Sequence, residues 1–253
     1  MKRTTRPPGT RRNALFVVFV MLAVTSASVA SADDGPGPLG VTVQAAASPQ
    51  SARVGALFSD SGSLDSGHFC TASVVHSEGR NLIVTAAHCL DGSGKPRFVP
   101  GYRDGKAPYG VWDVEKAYVG DAWTGGQAED SDVAFAVVDD KGGERVENVV
   151  GGNALATGRE TGATAVTVTG YPSTVNTPIT CTNKPSAHSP TQQRIACPAF
   201  AGGTSGSPWV NGDGQVVGVI GGHEAGGDTD DVSYSVVLGS EAAALYRTAR
   251  QAG

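Results

Sequence analysis

The chain has 253 residues, 40% hydrophobic and 17% charged, with 35 glycines and few helix-favouring runs, a balance that suits a folded all-β protein. Its formal charge of −5 comes with no basic patch beyond the extreme N-terminus, which excludes nucleic acid and anionic membrane as partners.

Lys2, Arg3, Arg6, Arg11 and Arg12 lead into an apolar run from Ala14 to Val24, and Ala30-Ser31-Ala32 follows with small residues. The run is too short to span a bilayer, so residues 1–32 are expected to be a secretory signal cleaved after Ala32. Arg11-Arg12 also permits a twin-arginine export route. Cleavage takes away five basic residues and no acidic one, which moves the formal charge from −5 to −10 and leaves a soluble secreted chain with no membrane contact. Residues 33–50, with Pro36, Pro38, Pro49 and an alanine cluster, are expected to be a propeptide or a flexible leader.

Short apolar runs between Gly, Asp and Pro clusters then predict strands. Residues 54–58, 69–75, 82–86, 111–119 and 133–138 form a first group. A polar stretch over 139–152 separates it from 163–169, 193–197, 208–210, 216–220 and 232–238, so two β modules of similar size are predicted. One helix is predicted, over Glu241–Arg250, with Ser240 as cap and its charges ordered to complement the helix dipole.

Cys70, Cys89, Cys181 and Cys197 all lie beyond the signal, in a chain bound for an oxidising compartment, which predicts two disulfides. Three pairings are possible; Cys70 with Cys89 and Cys181 with Cys197 closes the short loops. With no C-x-x-C pair and no matching histidine pair, no zinc site is expected, and no cofactor.

Gly203-Thr204-Ser205-Gly206-Ser207-Pro208 reads as a nucleophile loop. An uncharged serine needs a base to take its proton and donors to hold the oxyanion that follows, and glycines around Ser205 let the amides of Gly203 and Ser205 converge as those donors. His88 follows an apolar strand in Thr85-Ala86-Ala87-His88-Cys89, where a strand becomes a loop, and can serve as the base. Asp132 stands at the mouth of the apolar run 133–138, so it is expected to be partly buried and to need a partner such as an imidazole N–H. Asp130 is the alternative for that role.

These pieces, together with His68-Phe69-Cys70 and the His, Asp, Ser chain order, resemble the secreted chymotrypsin-like serine proteases. The Ser-Gly-Ser-Pro ending, Pro100-Gly101-Tyr102 and Gly170-Tyr171-Pro172 are most similar to the bacterial V8-like, or glutamyl endopeptidase, branch. The resemblance implies two packed six-stranded antiparallel β-barrels with a short C-terminal helix: a protease domain over 51–253, first barrel about 51–140, second about 150–238, helix 241–250. It implies a monomeric serine endopeptidase acting on peptides or proteins, with His88 as general base and acid, Asp132 orienting it, Ser205 attacking, and the Gly203 and Ser205 amides as oxyanion hole.

The chain departs from the trypsin pattern in places. Thr204 stands where trypsins keep the aspartate that pairs with a new N-terminus, so that activation switch cannot operate. Ala199 falls where their pocket-base aspartate lies, which removes the expectation of Lys or Arg specificity. Ile220, Gly221, Gly222 and His223 are expected along the substrate-lining strand, with His223 either in the pocket or in a loop. Gly221 replaces a serine that often bonds the buried aspartate, which predicts one partner fewer for Asp132. Glu224, Asp228, Asp230 and Asp231 read as a solvated acidic loop, or as one that attracts basic peptides or calcium. Two competing readings are a catalytically silent binding protein of protease fold, and an α/β-hydrolase esterase. The esterase would need a Gly-x-Ser-x-Gly elbow and the order Ser, Asp, His.

Overall fold

In the computed structural model, residues 1–2, 38–60, 63–65, 67–92 and 94–251 are described. The expected signal over 1–32, except residues 1–2, and residues 33–37 of the expected leader lie outside the described residues.

After strand β1 (Val41–Gln44), the first half contains β2 (Val54–Phe58), β3 (His68–Val75), β4 (Leu82–Thr85), β5 (Arg97–Pro100), β6 (Trp112–Val119) and β7 (Ala134–Val138). These six close into a barrel in the order β2-β3-β4-β7-β6-β5. Strand β5 was not expected. Its Phe98-Val99 core is only two residues long between polar and proline neighbours, and pairing with β2 and β6 makes it a strand.

Alternation explains why β4 and β7 read as continuous apolar runs. Ile83, Ala136 and Val138 point into the barrel with Leu57, Ala72, Val74 and Phe98. Their neighbours Leu82, Val84, Phe135 and Val137 point outward, against Val210, Val216, Val219, Val236 and Leu238 of the second half and against Ala242 and Ala249 of the terminal helix. Both faces of these strands are therefore buried, and the outer face is the seam between the halves.

The second half contains β8 (Ala154–Leu155), β9 (Val166–Gly170), β10 (Ile179–Asn183), β11 (Ser186–Ala187), β12 (Gln192–Ala196), β13 (Pro208–Asn211), β14 (Gln215–Val219) and β15 (Val232–Val236). It differs from a second closed six-stranded antiparallel barrel. A six-stranded sheet, β1-β10-β9-β13-β14-β8, with β8 parallel to β14, encloses a core with the three-stranded sheet β11-β12-β15. Single bonds link the two sheets where a ladder was expected. Val219 N–H donates to Ser235 Oγ at 3.0 Å, Gly221 N–H to Tyr234 O at 3.0 Å, and Gly40 N–H to Ala196 O at 2.8 Å. A hydroxyl thus takes a position that a backbone carbonyl fills in a regular ladder.

The described part of the segment expected over 33–50 as a propeptide or flexible leader is built into the fold. Val41–Gln44 pairs antiparallel with β10, Thr42 Oγ1 donates to Pro198 O at 2.6 Å, and Pro49–Ala52 forms a helical turn with a Ser48–Ser51 capping box. The sheet edge of β10 supplies the backbone partners that the segment's own composition could not reveal. Short helices over Asp121–Gly126 and Val146–Val150 were also not expected. The terminal helix runs Ser240–Arg250, with Gly239 rather than Ser240 at its N-cap.

The disulfides are Cys70–Cys89 and Cys181–Cys197. The second joins β10 of the large sheet to the residue after β12 of the small one, across a separation of 16 residues. Replacing both Cys181 and Cys197 by serine is expected to cost about 3 kcal/mol in urea unfolding, from the added freedom of the unfolded chain. An unchanged midpoint would refute that.

His68 is a buried titratable group. It is 2% exposed, among Phe58, Tyr102 and Tyr171, with Nε2 at 3.0 Å from Pro172 O. Burial pushes its pKa below the ordinary value, against an upward pull from the Pro172 bond. The unfolded chain takes up this proton near pH 6.5 and the folded one only at lower pH, so the stability linked to His68 is complete above about pH 6.5 and is lost as the pH falls from there toward the folded value, by at most about 1.4 kcal/mol per pH unit. The melting temperature of His68→Gln is therefore expected to fall less steeply than that of wild type below about pH 6.5. Parallel pH profiles would show the idea to be wrong.

Candidate active site

Register brings the base and its carboxylate together. Thr85 of β4 pairs with Ala134 of β7, so the end of one strand and the start of the other meet at the same rim of the barrel. A 3-10 turn over Ala87–Cys89 follows β4 and another over Glu129–Ser131 precedes Asp132. The Cys70–Cys89 disulfide ties the first turn to β3. His88 Nδ1 lies 2.8 Å from Asp132 Oδ2, and His88 N–H donates to Asp132 Oδ1 at 3.0 Å. A third donor, Gly222 N–H, reaches Oδ2 at 2.7 Å. Asp132 is 1% exposed, and these bonds are what make a buried carboxylate tolerable there.

The loop 202–208 belongs to the second half yet docks on the first. Thr71 N–H donates to Ser205 O at 2.7 Å and Thr71 Oγ1 to Gly203 O at 3.0 Å. A Cβ on Gly206, which has φ +82°, would run into Thr71 O and into Thr85 Oγ1, three residues before His88. Gly203 has φ +97°, and a Cβ there would lie 2.5 Å from Ser173 N, so glycine is required at this point. Among the described residues, neither Gly203 N–H nor Ser205 N–H is spent on a hydrogen bond. Two free amides thus flank the Ser205 side chain.

The Ser205 hydroxyl itself donates to Ala225 O at 3.5 Å. That carbonyl belongs to a tight 3-10 segment over His223–Gly226, in which Glu224 and Ala225 both adopt left-handed backbone angles, φ +51° and φ +54°. The first half thus supplies an imidazole oriented by a buried carboxylate, and the loop docked on that half supplies a serine hydroxyl, two unspent amides and a carbonyl resting against the hydroxyl. An imidazole held by a buried carboxylate can accept a proton, and free amides can receive a developing oxyanion.

The trypsin-like peptidase domain matches residues 70–219. The chain belongs to the trypsin-like peptidase family. Protease Anisep from Arthrobacter nicotinovorans is similar at 25% identity and TM-score 0.70, covering 83% of this chain and 99% of that one. A thermostable serine protease, AL20, from an extremophilic microorganism is similar at 27% identity and TM-score 0.71, covering 81% and 100%. A Glu endopeptidase shares the fold at 19% identity and TM-score 0.69, covering 85% and 98%. No curated protein matches the chain.

This trypsin-like peptidase is thus a serine endopeptidase, and several expectations about its site need correction. Asp130 is not the partner of His88: its Oδ1 accepts from Gln192 Nε2 at 2.9 Å. Gly221 does not leave Asp132 short of a donor. A Cβ there would stand 2.9 Å from Asp132 Oδ2, which leaves no space for a side chain, and the backbone N–H of Gly222 fills the role. Ile220 is 3% exposed and packs its side chain into the core with Phe200 and Trp209, while its main chain exchanges hydrogen bonds with Gly206 and Ser207 of the loop. Ala199 adopts φ +69°. Thr204 is buried and bonds within its own loop, Oγ1 to Ala201 O at 2.7 Å.

The ring of His223 packs with those of His188 and Tyr234, at centroid distances of 4.6 and 4.8 Å, and its Nδ1 lies 3.4 Å from Glu129 Oε2. Glu224, Asp228, Asp230 and Asp231 are exposed, as the solvated reading expects. Among the described residues, the group of potential metal ligands Cys70, His88 and Cys89 contains two sulfurs already joined in a disulfide, which removes both thiolates.

Sequence reasoning missed Gln192. Buried in β12, it donates to Glu129 O at 3.1 Å and to Asp130 Oδ1, while its Oε1 accepts from His223 N–H at 3.4 Å. It ties the turn before Asp132 to the segment after Gly222. A glutamine in a half-polar strand carries no signal of this in sequence.

Proposed function

We propose that the chain is a secreted serine endopeptidase that works through an acyl-enzyme on Ser205. As Ser205 Oγ attacks the peptide carbonyl carbon, its proton passes to His88 Nε2, and the carbonyl oxygen takes up negative charge against the amides of Gly203 and Ser205. His88 then gives that proton to the amide nitrogen, the C–N bond breaks, and the amine product leaves an ester on Ser205. A water molecule, losing its proton to His88, attacks the ester; the bond to Ser205 Oγ then breaks as His88 returns that proton to Oγ, which releases the acid product and restores Ser205. Asp132 keeps Nδ1 protonated throughout, so that Nε2 stays free to accept.

The observation that carries this reading is the His88–Asp132 pair, buried on its acid side and completed by Gly222 N–H, beside a loop with two unspent amides. Export is supported by the basic start, the apolar run 14–24 and Ala30-Ser31-Ala32. Protein recovered from medium with Asp33 as its first residue is the expected result; uncleaved protein retained in cells would count against export.

A second reading, a catalytically silent binding protein, is favoured by the bond from Ser205 Oγ to Ala225 O. Human heparin binding protein, alike in fold at 16% identity and TM-score 0.61 and covering 82% of this chain and 94% of that one, is named for binding. Yet apo catalytic bonds are often loose and tighten with substrate. Fluorophosphonate labelling separates the readings. Wild type is expected to label and to cleave a peptide library, and Ser205→Ala and His88→Ala to do neither. A folded wild type that neither labels nor cleaves establishes the silent reading.

A further inference from the structure

Thr71, in the middle of β3, is fully buried, and each of its polar groups is engaged. Its N–H donates to Ser205 O at 2.7 Å and its hydroxyl donates to Gly203 O at 3.0 Å. The same hydroxyl accepts from Tyr171 N–H at 3.0 Å, and its carbonyl accepts from Thr85 Oγ1 at 2.7 Å. Three of the four bonds cross the seam into the second half, and two hold carbonyls on either side of the Ser205 amide.

That placement matters because of what the loop carries. Gly203 N–H and Ser205 N–H are the unspent donors, and Gly203 sits at φ +97°, where glycine has no side chain to restrict rotation of the peptides beside it. Thr204 bonds only within the loop, donating to Ala201 O and accepting from Ser207 N–H. The hydroxyl of Thr71 is thus what anchors the Gly203 carbonyl to the other half of the molecule. Without it that carbonyl loses its partner in a buried site, and the peptide can turn to seek another.

We infer that Thr71 is a positioning residue for the oxyanion hole: its hydroxyl, shared between Gly203 O and Tyr171 N–H, holds the nucleophile loop so that both free amides face the reacting carbonyl. The inference rests on the endopeptidase reading above.

The test compares Thr71→Val, which keeps size and backbone N–H but removes the hydroxyl, with Thr71→Ser, which keeps the hydroxyl and removes the methyl. Thr71→Val is expected to lower kcat on a peptide amide by about 10- to 100-fold with KM changed by less than about threefold, because the oxyanion forms only in the transition state. Affinity for a peptide aldehyde, whose adduct oxygen occupies the same hole, is expected to fall by the same factor. Thr71→Ser is expected to retain wild-type kcat, with any loss confined to melting temperature.

A folded Thr71→Val enzyme with kcat within about threefold of wild type overturns the inference, as does a Thr71→Ser enzyme as slow as the valine variant. Should Thr71→Val not fold, Thr71→Ser decides: wild-type kcat supports the role of the hydroxyl, and a slowed kcat overturns it. In all these cases wild type cleaves peptide, so the parent reading stands; a wild type that does not cleave overturns both.

Discussion

Replacing Ser205 by alanine is expected to lower kcat/KM on peptide substrates by about 10⁴- to 10⁶-fold while leaving the fold intact. The chemistry of the site needs an oxygen nucleophile at this position, and no other hydroxyl stands between the two unspent amides. Thr204 Oγ1 is buried against Ala201 O, and Ser207 is fully buried. The fold should not notice the change. Ser205 Oγ makes one bond, at 3.5 Å to Ala225 O, whereas the loop is held by the backbone of Ser205 and by Thr71. A melting temperature close to that of wild type, with fluorophosphonate labelling abolished, is the expected pair of results. Residual activity above about 1% of wild type would mean that the nucleophile lies elsewhere.

Asp132→Asn is expected to cost about 10⁴-fold in kcat near neutral pH. The reason lies in three donors converging on two oxygens. Oδ2 accepts from His88 Nδ1 and Gly222 N–H, and Oδ1 from His88 N–H. An asparagine must turn its NH₂ toward one side or the other. Toward His88 N–H, two donors meet in a buried site and the negative charge that stabilises the imidazolium is gone. Toward Nδ1, the amide forces Nδ1 to accept, so the ring proton moves to Nε2 and the base is lost. In the second arrangement, raising the pH above about 9 recovers part of the rate, as a stronger base in solution does the work of the imidazole. A variant within tenfold of wild type at pH 7 would show that the Asp132 contacts are structural only.

Much of this was legible in sequence. The apolar runs of β2, β4 and β7 are free enough of polar residues that burial is what they are expected to reach. His88 and Asp132 at the mouths of two such runs, and a serine among glycines, are local patterns that residue chemistry alone makes suspicious. The Cys70–Cys89 and Cys181–Cys197 loops followed from short separations in the same way.

Other parts had no local signal, because their cause lies far along the chain. Strand β1 exists where β10 offers an edge to a segment that reads as a proline-rich leader. Gly222 N–H replaces a serine side chain only because Gly221 lies against Asp132, 89 positions away in sequence. The grip of Thr71 on Gly203 and Ser205 spans more than 130 residues. The amino-acid order by itself determined which groups could be nucleophile, base and carboxylate, since that depends on side-chain chemistry and on where apolar strands end. Only the tertiary structure decided which backbone N–H groups stay unspent, which carbonyl rests on the serine, and which buried hydroxyl steadies the loop, because each is settled by which separate segments of the chain the fold brings within 3.5 Å of one another.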